Sequence, residues 1–228
     1  MCLYIIFSIL GGVLLLLLVF TIASGRNSID TVDRLFLGGA FISSCLFGIS
    51  LALRPNWIKR YKKQGIHGIN PKSPITTSRK RQGHHPDCKP FQSHTYTIKN
   101  GVLCAGCTGL ALGSFISIFL MIIFLIFFND IPKAALLIFI IIGLGFIAFN
   151  YVEIVLPKRR AFAHLLSNSL LVIGFFFIII GVFQLTGNVT YGILALIITF
   201  LWLDTRIQLS NWHHHVICDN CSETCKAY

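Results

Sequence analysis

The chain has 228 residues, of which 55% are hydrophobic, 12% are charged and twenty are phenylalanine, with a formal net charge of +11. A soluble domain carries roughly 25% charged residues, and the apolar residues here stand in long uninterrupted blocks. An ordinary water-soluble globule is therefore excluded.

A run of about 20 apolar residues is long enough to cross the hydrocarbon core as a helix. Six such runs are present: Leu3–Ala23, Leu35–Leu53, Val102–Phe128, Ala134–Leu156, Phe162–Thr186 and Val189–Leu203. Core helices of a soluble protein would be amphipathic, whereas FLMIIFLIFF (119–128) and LLIFIIIGLGFIAF (136–149) are apolar all round. The first run has no basic residues before it and exceeds the 7–15 residue apolar region of a signal peptide, so it is read as a retained helix. Breaks fall at Arg26–Arg34, Arg54, Asn129–Lys133, Pro157–Arg160 and Gly187-Asn188. The fold expected is all-α, a polytopic bundle of about six membrane helices. Residues 1–53 form a first hairpin, 54–101 a basic linker, 102–209 a four-helix region and 210–228 a Cys/His-rich tail.

Lysine and arginine in short loops favour the cytosolic side. The linker holds eleven basic residues between Arg54 and Lys99 against Asp87 alone, and the loop after the fourth run adds Lys158, Arg159 and Arg160. The loops on the other face hold only Arg26, Arg34 and Lys133. With six spans, the basic loops and both termini share one face, predicted to be the cytosolic face of the cell membrane. The partners expected are the bilayer itself and anionic lipid headgroups, drawn to the linker at about 1 kcal/mol per basic residue. Nucleic-acid contact by RYKK (60–63) or RKR (79–81) is the weaker reading of the same charge.

Eight cysteines divide by environment. Cys2 and Cys45 lie in or beside apolar runs, where a free cysteine acts as a small hydrophobe. The other six are grouped with histidines. Cytosolic thiols stay reduced, so clustered ones point to metal or redox chemistry rather than to a structural disulfide. The first group reads His85-x2-Cys88-x15-Cys104-x2-Cys107, a two-knuckle zinc spacing with one histidine in place of a cysteine. Two side chains from one tight turn reach one ion, and the long spacer returns a second turn to close the tetrahedron. His84 and His94 are further nitrogens nearby, so the histidine ligand stays open. Cys104 and Cys107 also open a helix, where free N–H groups and the dipole favour thiolates.

The second group, His215-x2-Cys218-x2-Cys221-x3-Cys225, holds four ligands by itself. It imitates a ferredoxin run, but Lys226 stands where that run has proline, which disfavours an iron–sulfur cluster against zinc. A metal-sticky tail without a defined site is the bland alternative.

The stretch GHHPDCKPFQSHTYTIKNGVLCAGCTGLALG (83–113) resembles the signature of an uncharacterised membrane family, domain of unknown function 2085, in its archaeal form. His84 or His85, Phe91, Cys104, Cys107, Thr108, Gly109 and Gly113 match that pattern. Many bacterial members carry a cysteine directly before the histidine and an arginine inside the CxxC, where this chain has Gly83 or His84 and Gly106. The resemblance implies a multi-helix membrane protein and assigns no activity.

Within the spans, Asn150 and Glu153 stand opposite His164 and Asn168. Glu153 is one turn from Lys158–Arg160 and is expected to snorkel toward them, and Asp204 is expected to pair with Arg206. Gly109, Gly113, Gly143 and Gly145 read as close-packing positions. Three functions follow. The first is a non-catalytic membrane protein with a cytosolic-face zinc site. The second is a thiol–disulfide oxidoreductase using Cys104 and Cys107, with Cys218 and Cys221 as a relay pair. The third, a transporter or enzyme with an open metal site, has only Glu153 and Asp87 to offer as a base.

Overall fold

The computed structural model describes residues 2–22, 29–53, 81–82, 95–98, 101–128, 131–156 and 160–219. Its helices are α1 (Cys2–Ile22), α2 (Thr31–Leu53), α3 (Ala105–Phe127), α4 (Lys133–Val155), α5 (Ala161–Thr186) and α6 (Val189–Asp219). Each contains a stretch long and apolar enough to cross a membrane. All seven prolines fall outside these helices, as they must, since an interior proline breaks the backbone ladder. The expected all-α membrane bundle is the observed fold.

Two boundaries differ from the sequence expectation. The third helix starts at Ala105, not Val102, because residues 101–104 are extended. They form β3 (Gly101–Cys104), the middle strand of a small sheet with β1 (Arg81–Gln82) and β2 (Thr95–Ile98). β2 runs antiparallel to β3, with Thr95 opposite Cys104 and Ile98 opposite Gly101, and β1 runs parallel to it. The linker therefore enters the bundle as a hairpin. At the other end of the chain, α6 continues past Leu203 to Asp219. Its 31 residues span about 46 Å at 1.5 Å each, against a hydrocarbon core of about 30 Å. The helix thus continues past the candidate span Val189–His213 and carries His215 beyond it.

α5 is the centre of the bundle. Its span is 72% buried, whereas α1 to α4 range from 17% to 28%, and it packs against α3, α4 and α6. A helix apolar all round is stable only when enclosed, and α5 is enclosed by other helices while its neighbours turn one side to lipid. Phe115, Phe119, Ile141 and Ile197 are among their exposed apolar residues. Helix contact is made through small residues. On α3 the buried stripe includes Ala105, Gly109, Gly113 and Ser117, a four-residue repeat that lets backbones approach. A Cβ on Gly109 would meet the Leu165 carbonyl of α5, one on Gly113 would lie 2.5 Å from the Ser169 carbonyl oxygen, and Gly143 and Gly174 face each other's backbones across α4 and α5. Ser169 Oγ donates to the Gly109 carbonyl at 3.0 Å. Gly145, expected to share this role, has nothing within 4 Å of an added Cβ. It sits on the outer side of α4.

Turns and ends are satisfied locally. Gly187 closes α5 with φ 61°, its N–H donating to the Phe183 carbonyl at 2.9 Å, a left-handed cap that glycine adopts without steric cost. Asn188 then starts α6 by accepting from Thr190 N–H at 2.8 Å. α1 is tied to the bundle by a closed polar set. The Trp202 indole donates to the Ser8 carbonyl at 3.0 Å, Tyr151 hydroxyl donates to the Trp202 carbonyl at 2.9 Å, and the Ser8 and Tyr151 hydroxyls lie 3.1 Å apart.

Arg34 ends α3. Its side chain is buried, one guanidinium nitrogen donates to the carbonyls of Phe124 at 3.0 Å and Phe128 at 2.6 Å, and the group lies 5.1 Å from the Phe124 ring centroid. A cation on the final carbonyls of a helix meets the negative end of its dipole. Arg34→Met should cost about 2–3 kcal/mol, the value of charged hydrogen bonds lost at buried acceptors. Thermal unfolding in detergent would read this as a lower midpoint, with Arg34→Lys falling between the two proteins.

Candidate functional site

Residues at the start of α3, the end of α4, the start of α5 and the outer half of α6 meet at one end of the bundle. Cys104 is the last residue of β3 and the N-cap of α3, with extended backbone at φ −77°, ψ 122° and no side-chain cap bond. Cys107 follows one turn later, so strand and helix together place both sulfurs on one corner. The two side chains lie near enough to interact electrostatically. Both are reduced, Cys104 buried and Cys107 half-buried. Thr108 Oγ1 donates to the Cys104 carbonyl at 2.9 Å, fixing the turn.

Beneath the pair lies polar ground. Glu153 of α4 and His164 of α5 are 5% and 2% exposed, and the His164 Nδ1 to Glu153 Oε2 distance is 2.9 Å. Ser167 Oγ donates to the same carboxylate oxygen at 3.0 Å, and Asn150 Nδ2 donates to Ser167 Oγ at 3.3 Å. Asn168 Nδ2 donates to the His164 carbonyl at 2.5 Å. Glu153 is thus buried inside the bundle, whereas Lys158 and Arg159 lie outside the described residues. Burial of a carboxylate is tolerated when donors converge on it, and His164 and Ser167 supply them one helix away.

Arg206 also differs from expectation. It is 8% exposed and turned inward, while Asp204, two residues earlier and so on another side of α6, is exposed and accepts from Gln208 at 3.4 Å. Arg206 lies within electrostatic reach of Cys107, Cys104 and Glu153. An added Cβ at Gly106 would stand 2.9 Å from His164 Nε2 and 3.2 Å from an Arg206 guanidinium nitrogen. Of the two residues between the cysteines, Gly106 is the one that faces both groups, and a side chain there would require the His164 ring or the Arg206 guanidinium to shift.

The sequence-predicted ligands are distributed as follows. Cys104 and Cys107 are brought together. His84, His85, Cys88 and His94 lie outside the described residues, as do Cys221 and Cys225. His215 is exposed on the part of α6 past the candidate span, and Cys218 follows it by three residues on the same helix. Among the described residues no group of three or more His, Cys, Asp or Glu side chains is placed to hold a metal ion. Arg206 is the site residue that the sequence reading missed. Its signal was the spacing of Ile198, Trp202, Arg206 and Leu209, which makes it part of the buried stripe of α6.

Fold and site together define a membrane protein, with six helices of spanning length among the described residues and a cysteine pair beside a buried His–Arg–Glu cluster. No family model, curated protein or solved structure matches the chain.

Proposed function

We propose that this is an integral membrane protein whose Cys104–Cys107 pair holds a metal ion, zinc, at the cytosolic face. The observation that carries this reading is the placement of Cys104 at the N-cap and Cys107 in the first turn of α3, where the linker hairpin runs into the bundle. A metal needs deprotonated sulfur from a turn that lets two side chains reach one ion, and CAGC has that spacing. The remaining ligands are assigned to the linker, Cys88 with His85 or one of His84 and His94, in keeping with the resemblance of residues 83–113 to domain of unknown function 2085. His215, Cys218, Cys221 and Cys225 form a second candidate set on and beyond the end of α6. The basic linker and both termini face the cytosol, where the linker meets anionic lipid headgroups.

Elemental analysis of the full chain purified in detergent should find zinc, and Cys104→Ser or Cys107→Ser should remove the share bound at this site. Protein free of zinc and iron, with every cysteine open to alkylation, would sink the proposal. Labelling single cysteines in intact cells tests the orientation, and a linker reached from outside would reverse it.

A second reading is thiol–disulfide exchange with a disulfide partner. The nearness of two reduced thiols favours it, since a bridge between them forms with loss of two electrons and two protons. Trapping a Cys104–Cys107 disulfide or a mixed disulfide in cells, in metal-free protein, would select it over the first.

A further inference from the structure

Among the described residues two arginines are buried, Arg34 and Arg206, and they meet opposite ends of α3. Arg34 lies on the last carbonyls of the helix, where the dipole is negative and its guanidinium finds two acceptors. Arg206 lies on the first turn, where the dipole is positive. One of its guanidinium nitrogens stands 3.2 Å from the place a Cβ on Gly106 would take. No ion pair with Arg206 occurs among the described residues, and its Nε has no hydrogen-bond partner there. Glu153 is within its electrostatic reach, but that carboxylate is engaged by His164 and Ser167. A cation that is 8% exposed and set against the positive end of a helix is costly to keep.

The first turn of α3 is short of acceptors as well. The N–H groups of Ala105, Gly106 and Cys107 have no partner within the helix. The Cys104 side chain makes no capping bond, and Ala105 and Gly106 are buried. Donors and positive potential thus converge on one corner from α3 and α6. Cys107 and Thr108 beside it are half-buried, which leaves that side accessible. Such a seat is balanced by an oxyanion. Helix N-termini take phosphate through their free N–H groups, and a guanidinium matches phosphate oxygens two at a time. The corner is also the end of a spanning helix, Ala105–Phe127, the level at which bilayer headgroups lie.

We propose that the start of α3 is a binding site for a phosphoryl oxyanion, held by the Arg206 guanidinium and the N–H groups of Ala105, Gly106 and Cys107. The group is that of a lipid headgroup or of free phosphate. The site needs no metal and is independent of the metal reading above. Gly106 belongs to it, since a side chain there would shift the guanidinium from the turn.

The test follows thermal unfolding of the full chain in dodecyl maltoside while inorganic phosphate, or dioleoyl phosphatidic acid mixed into the micelles, is titrated. Sodium chloride at matched ionic strength and dioleoylglycerol serve as blanks. Binding to the folded state should raise the midpoint saturably above the blanks. A rise with phosphatidic acid alone assigns a lipid headgroup, and a rise with inorganic phosphate as well assigns the phosphoryl group itself. Arg206→Gln should need about 10–100-fold more of the same probe for half the rise, the effect of losing charged hydrogen bonds. Arg206→Lys, which keeps the charge without the planar fork, should fall between the two, and with Gly106→Ala it decides the matter should Arg206→Gln fail to fold. No rise in the parent with either probe would overturn the inference. So would an equal rise in the Arg206 and Gly106 variants, which would make the effect an adventitious ion only.

Discussion

Gly109→Leu is expected to yield no folded bundle. An ordinary overpacked core position gives way by about 1–3 kcal/mol because neighbouring side chains shift. At Gly109 the obstacle is the Leu165 carbonyl of α5, and backbone inside a helix has nowhere to go. The Ser169 hydroxyl that donates to the Gly109 carbonyl at 3.0 Å would be separated from it at the same time. Gly145→Leu serves as the control, because an added Cβ there meets nothing within 4 Å, and leucine forms helix more readily than glycine. Size-exclusion elution of tagged protein from detergent extracts distinguishes the two. A monodisperse Gly109→Leu peak at the parent position would show that α3 and α5 are not in contact at this level.

Glu153→Ala should destabilise the protein by about 2–4 kcal/mol, the range for removing an acceptor on which two buried donors depend. His164 Nδ1 and Ser167 Oγ both lose the carboxylate oxygen they now share, at 2.9 and 3.0 Å. A double-mutant cycle with His164→Ala separates this from simple loss of volume. The double variant should be less unstable than the sum of the singles, by the 0.5–3 kcal/mol typical of residues in contact. Strict additivity in thermal unfolding would mean that the pair does not form.

The bundle was legible because its rule is simple. Apolar runs of bilayer length, bounded by proline, glycine and charge, gave six helices, and the observed ends lie within a few residues for most of them. The exceptions are instructive. Val102-Leu103-Cys104 is apolar and continues smoothly into CAGC, so hydropathy alone merges strand with helix. Pairing with Thr95–Ile98, a contact between separate segments, is what keeps it extended. The end of α6 escaped for the opposite reason. Asp204, Arg206 and Gln208 end the apolar run at Leu203 but do not end the helix, since none of them breaks the backbone ladder. In the site, Asn150 and Glu153 could be matched with His164 and Asn168 from position along two antiparallel spans. Gly145 could not be told from Gly143, because a glycine has no polarity to show which side it faces. Arg206 was misread because a charge near a span end is usually solvated, and its inward turn depends on what α3 places opposite it.

The central place of α5 also governs how the chain is made. Among the described residues α3 and α4, though consecutive in sequence, do not pack closely, and neither do α1 and α2; α5 lies against α3 and α4, and α1 lies against α6. Among the first four helices only α2 and α3 pack closely against each other, so most of the bundle's contacts wait on α5 and α6. Translation of the last third, from Ala161 onward, supplies the partner around which the earlier helices close.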